Sequence, residues 1–116
     1  MNDKQMSEHD IQLIAKFMGW TVNRFEDLDI LDFNSKDRIL STQVDNWSTI
    51  MEIVEKIETL NECITIEENF CCITNNTDEN REWFTGYEPD GKTTTKIQST
   101  YNAIMRFINW YNEQEK

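Results

Sequence analysis

Three cysteines and one histidine are the side chains in this sequence best suited to covalent or metal chemistry. A thiolate nucleophile needs a base within hydrogen-bond reach. A structural zinc site needs spaced pairs such as C-x-x-C with histidine partners. Cys71 and Cys72 are adjacent, Cys63 precedes them on the same stretch, and His9 lies far away along the chain. That spacing fits neither chemistry, and an odd cysteine count gives no disulfide framework. The expectation is three reduced thiols partly packed in a sheet, with no metal, no cofactor and no catalytic residue. Asp27-Leu28-Asp29 opens like a calcium loop. Asp32, however, stands where that loop needs glycine, and Arg38 where it needs a bidentate glutamate. Only three glycines are present and they are scattered, so no phosphate-cradling loop exists. Carboxylate pairs for acid–base work are so numerous that no one pair is informative.

The charge pattern says more than these groups do. The chain has 22 acidic and 11 basic residues, a net charge of −11. Residues 52–90 hold Glu52, Glu55, Glu58, Glu62, Glu67, Glu68, Asp78, Glu79, Glu82, Glu88 and Asp90 against only Lys56 and Arg81, a net charge of −9. A field of this sign repels phosphates, which argues against direct contact with DNA or RNA and for a partner with a basic surface. Such acidity also keeps a small protein soluble. The residues expected to meet a partner are Glu67, Glu68, Asp78, Glu79, Glu82, Glu88 and Asp90 on turns around a sheet. Trp83 is counted with them, because Trp83 and Phe84 alternate faces on the third strand, so that either one ring enters the core and the other is exposed or each is covered by a helical layer. No apolar run approaches the roughly 20 residues of a membrane span, and the first residues contain no apolar signal core, so a cytoplasmic protein is expected. The triplets Asn46-Trp47-Ser48 and Asn75-Asn76-Thr77 match a glycosylation signal that has meaning only in a secreted chain.

At 116 residues the chain fits one domain, residues 1–116. Ile11, Ile14, Ala15 and Met18 form one helical stripe, with Ser7 or Asp10 to cap it and Gly19 to end it. Residues 21–44 read as a short strand or as irregular turns, with Ile39 and Leu40 anchoring the return to the core. Trp47, Ile50, Met51, Val54 and Ile57 mark a second helix, capped by Asp45 or Asn46. The pattern then changes to period two. Ile64 and Ile66 alternate with Thr65 and Glu67, and a second strand follows a tight turn at Glu68-Asn69. Residues 81–87 read as a third strand. Thr95 and Gln98 form a capping box before a long helix with Ile97, Tyr101, Ile104, Ile108 and Tyr111 on one face. The expected core includes Trp47, Ile50, Val54, Ile97, Tyr101, Ile104 and Ile108. The expected fold is α+β, an α/β/α sandwich in the order helix-helix-strand-strand-strand-helix with one three-stranded antiparallel sheet.

Three stretches carry a family resemblance: Leu13 to Trp20, Trp47 to Glu58, and Thr95 to Ala103 continuing through Phe107 to Asn112. Together they resemble the phage ABA sandwich domain, a family of small phage and prophage proteins. Thr49 stands where members often carry a second aromatic, and Glu52 where they often carry proline. The resemblance implies an α/β/α layered fold and a mobile-element origin, and it implies no catalytic residues.

A binding protein that is not an enzyme is therefore expected. The leading expectation is an inhibitor, anti-CRISPR-like, that contacts the basic nucleic-acid channel of a host defence nuclease such as an RNA-guided one, without touching nucleic acid or membrane itself. The alternative is a non-enzymatic accessory or adaptor in phage replication or assembly.

Overall fold

A computed structural model describes residues 5–25, 30–78, 80, 83–86 and 95–114. Helix α1 (Glu8–Met18) starts where Ser7 accepts a hydrogen bond from the Asp10 N–H at 3.1 Å. It stops at Gly19, whose φ of 75° turns the chain left-handed. Its inward face is Ile11, Ile14, Ala15 and Phe17, all buried. Three strands follow: β1 (Thr21–Phe25), β2 (Ile30–Ser35) and β3 (Arg38–Ser41), an antiparallel sheet in sequence order. Its register sets Val22, Phe33 and Leu40 in one row on the core side, with the Trp20 ring 5.2 Å from that of Phe33. Asn23, Asp32 and Ser41 form a row on the opposite side.

Helix α2 (Trp47–Glu58) begins at Asn46, whose side chain accepts from the Thr49 N–H at 3.1 Å. Asn61, with a φ of 68°, turns the chain into a second antiparallel sheet, β4 (Glu62–Ile66), β5 (Cys71–Asn75) and β6 (Phe84–Gly86). The chain ends its described course in α3 (Lys96–Gln114). Thr95 Oγ1 accepts from the Gln98 N–H at 3.1 Å, whereas the Gln98 amide donates to Asn102 at 3.0 Å. Only half of the expected capping box is thus closed by the threonine.

α3 joins the two halves of the core. Tyr101, Ala103, Ile104, Met105, Phe107 and Ile108 are buried along it. Phe107 meets Phe17 of α1 edge-on at 6.0 Å and Phe84 of β6 edge-on at 5.7 Å. A fully buried ring of this size is worth about 1.5–3 kcal/mol by area alone, so Phe107 ties α1 to the second sheet. The hydroxyl of Tyr101 donates to the Asp10 carboxylate, a second tie between α3 and α1. Gly86 lets β6 lie against the α3 backbone. A Cβ there would stand 2.0 Å from the Ser99 carbonyl oxygen.

Several expectations need correction. The order is α-β-β-β-α-β-β-β-α with two separate three-stranded sheets, which replaces the single-sheet α/β/α sandwich. The first sheet was hidden because Phe33 and Leu31 on one face are interleaved with Asp32 and Asn34 on the open face, so the alternation is short and mixed. Ile39 does not anchor the core. It points to the open face and is 57% exposed. Trp47 is also exposed, because the buried stripe of α2 runs through Thr49, Ile50, Ile53, Val54 and Ile57 and leaves Trp47 and Met51 on its outer border. Ile97 is half-buried. The third predicted strand reduces to Phe84–Gly86, with residues 81, 82 and 87 outside the described residues.

Candidate protein-interaction surface

The second sheet has two unlike faces. Ile64, Ile66, Ile73 and Phe84 pack toward α2 and α3. The pairings Cys63↔Thr74, Thr65↔Cys72 and Cys72↔Thr85 define the other side. Cys63 and Thr65 are exposed there and Thr74 and Thr85 half-buried, and no described helix covers them. Trp83 immediately precedes β6 and is 66% exposed, while its neighbour Phe84 is buried. One aromatic thus enters the core and the other stands in solvent.

Of the acidic residues singled out by sequence, Glu67, Glu68 and Asp78 are exposed. Glu79, Glu82, Glu88 and Asp90 lie outside the described residues. Glu67 and Glu68 sit in the connection from β4 to β5, closed by a Glu67 N–H to Phe70 carbonyl bond of 2.7 Å. Asp78 sits beyond the other end of β5. The five residues of β5 place those ends on the order of 15 Å apart. The structure therefore divides the acids between the two ends of the sheet and puts Trp83 toward the Asp78 end, because β6 runs antiparallel to β5, with Gly86 opposite Cys71 and Phe84 opposite Ile73.

The Asp78 end is locally well tied. Asn75 Oδ1 accepts from the Thr77 N–H at 2.9 Å and from the Asp78 N–H at 2.6 Å. Thr77 Oγ1 accepts from the Asn61 amide at 3.0 Å, and Asp78 accepts from the Asn80 N–H at 3.1 Å. Asn75 also donates to Glu62 at 3.0 Å. Asn and Asp side chains that bond the backbone two or three residues on hold such turns in one shape. Asp78 is consequently tied to Asn75 at the end of β5.

Two of the three thiols, Cys71 and Cys72, are buried, and only Cys63 is exposed. Burial pushes the Cys71 thiol up to about 11, with a hydrogen bond to Thr100 acting in the opposite direction. Cys72 is raised by burial and then by the nearby Cys63. A thiol held protonated in this way is a poor nucleophile at neutral pH. His9 lines a groove between α1 and α3 whose walls include no cysteine. Among the described residues no three metal-ligating side chains come together, and no helix is long and apolar enough to cross a membrane. Burial, followed by the bond to Asp10, raises the Tyr101 phenol well above its ordinary range, so it acts as a fixed donor between two helices.

Sequence reasoning did not find the threonine face. Its signal is present in Thr65, Thr74 and Thr85, which occupy the positions opposite the isoleucines and Phe84 in each strand. Comparison with known proteins gives no match to a family model, a curated protein or a solved structure.

Proposed function

We propose that this domain acts by binding and not by catalysis, docking on a protein with a basic nucleic-acid-binding surface and blocking it. The setting that suits the family resemblance is the cytoplasm of a host cell, with the domain a mobile-element inhibitor of a defence nuclease. The observation that carries the reading is Trp83, 66% exposed at an acidic end of the second sheet. Tryptophan is enriched among the residues that dominate binding energy, and an exposed indole beside acidic groups has the composition of such a centre. The net charge of −11 supplies the attraction to a basic surface.

The test begins with capture from cells that carry the gene, followed by kinetics on the captured protein. A supporting partner binds nucleic acid and loses that binding when the domain is added. Trp83→Ala should then speed dissociation by roughly 30-fold, the equivalent of about 2 kcal/mol at a binding hot spot. Asp78→Lys should slow association at low salt and much less at high salt. A partner with no basic surface, or one indifferent to both changes, refutes the reading.

A further inference from the structure

β4 is an outer strand of the second sheet, and its hydrogen-bond phase is fixed at both ends. At the turn, the Glu67 N–H donates to the Phe70 carbonyl at 2.7 Å, and at the other end the Asn76 N–H donates to the Asn61 carbonyl at 3.0 Å. Along an antiparallel strand, residues that exchange bonds with the neighbour alternate with residues whose N–H and C=O point away from it. Asn61 and Glu67 are of the first kind, and the register carries the same phase to Cys63 opposite Thr74 and Thr65 opposite Cys72. Ile64 and Ile66 are therefore of the second kind. Each turns one donor and one acceptor out of the sheet, and among the described residues no strand takes them up.

The side chains agree with the backbone. Ile64 and Ile66 face the core yet are only half-buried, whereas Ile73 beside them on the central strand is fully buried. Edge strands are ordinarily protected by lysine, proline or a bulge. From Cys63 to Ile66 the strand has no charged residue and no proline, and its one-to-one register with β5 contains no bulge. Glu62, a buried carboxylate that accepts from Asn75, guards only the first position.

Charge limits what can add to this edge. Glu67 and Glu68 are exposed where β4 runs out, and Glu55 and Glu58 are exposed on α2, the helix that packs on β4. A second copy would set one chain of −11 against another, and like charges oppose that pairing. The geometry points to β4 as a docking edge for an extended segment of a partner protein in which basic and apolar side chains alternate. Its main chain bonds to Ile64 and Ile66, its apolar side chains cover theirs, and its basic side chains meet Glu67 on the other face. Main-chain bonds of this kind supply affinity, and the alternate side chains supply specificity. The inference rests on the function proposed above only for the basic character of the partner. It uses the opposite edge of the sheet from Trp83, two strand spacings or about 10 Å away.

The test is amide hydrogen exchange and titration by NMR on the isotope-labelled whole domain. In the free, dilute domain the Ile64 and Ile66 amides should exchange at least about tenfold faster than those of Cys63 and Thr65. The capped peptide acetyl-Lys-Val-Lys-Val-Lys-amide should slow them saturably, while acetyl-Glu-Val-Glu-Val-Glu-amide should not. Glu67→Lys, at an exposed position, should weaken binding about fivefold without changing the melting temperature. Slow exchange of Ile64 and Ile66 in the free domain means that the edge is already paired, and it overturns the proposal. So do absence of saturable slowing, equal binding of the glutamate peptide, and indifference to Glu67→Lys. Protection that grows with domain concentration alone also overturns it, by identifying a second copy as the occupant. Trp83→Ala should leave the peptide titration unchanged, so failure at this edge and failure of docking through Trp83 are read separately.

Discussion

Replacing Gly86 by alanine tests the junction on which the core depends. A Cβ at this position would stand 2.0 Å from the Ser99 carbonyl oxygen and 2.5 Å from the Ala103 nitrogen, both in the α3 backbone. Ordinary contact begins near 3.4 Å, so β6 and α3 must part by more than an ångström. No flexible side chain can absorb that movement. It pulls Tyr101, Ala103, Ile104 and Phe107 away from their partners. Overpacking usually costs about 1–3 kcal/mol, and a clash against main chain belongs at or above the upper end. About 3 kcal/mol is a large part of the 5–15 kcal/mol available to a domain of this kind. It should lower the melting temperature by roughly 10 °C. The φ of Gly86 is not in the left-handed region, so the loss is steric. Gly19 provides the contrast, with a φ of 75° and nothing within 4 Å of the place a methyl group would take. Gly19→Ala should cost about 1–2 kcal/mol for backbone strain alone, and Gly19→Asn less, since asparagine tolerates that conformation. Urea unfolding of the three variants measures the free energies, and a thermal scan measures the melting temperature. Gly86→Ala within about 0.5 kcal/mol of the parent, the range of an ordinary surface change, would refute the close approach of β6 to α3.

Other consequences are equally direct. Ile104→Ala, at a fully buried site, should cost about 2–5 kcal/mol in the same urea experiment. Iodoacetamide at pH 8 should label Cys63 in the native protein and spare Cys71 until the chain is unfolded, as mass spectrometry of the digested protein would show. The folded state keeps the Cys71 thiol protonated up to about 11, whereas a thiol at its ordinary value of 9.0 ionises earlier, so the unfolded chain sheds this proton first. Stability should thus hold below pH 9 and decline as pH rises toward 11, by up to about 1.4 kcal/mol per pH unit. Cys71→Ala should remove that component, and the raised Tyr101 phenol should add a similar decline above pH 10.

The helices were the legible part of this fold because each carries its own signal. Ser7, Asn46 and Thr95 cap where the sequence places them, and Gly19 ends α1. The first sheet was illegible for a physical reason. Its strands are four to six residues long and one face is open, so Asp32 and Asn34 are as natural there as Phe33 is on the other side. Trp47 misled in another way. At a helix end, the offset that places it beside Ile50 also fits the border of the stripe, and the true stripe is fixed by Thr49 and Ile53. Thr49 is polar and so adds nothing to an apolar stripe read from sequence, yet its hydroxyl donates to the Ser41 carbonyl at 2.9 Å and is buried without penalty.

The surface followed a different logic. Composition located the acidity in the middle of the chain, but charge carries no periodicity, so it could not tell which acids share an end of the sheet. That separation follows from the β4–β5 register, which sets Glu67 and Glu68 at one end and Asp78 at the other. The alternation of Trp83 and Phe84 was legible as a rule of strands. Which ring enters the core was not, because it depends on Phe84 pairing with Ile73 and meeting Phe107 and Trp110 on α3. Once those rings claim Phe84, the pleat leaves Trp83 no place inside. Its exposure is therefore imposed by the core and stabilised by nothing else described around it, which is why its loss should be felt in binding and not in folding. Trp83→Ala should leave the stability measured in urea within about 0.5 kcal/mol of the parent, as surface changes usually do. A large destabilisation would mean that the indole packs against the fold and that the second sheet has no free face there.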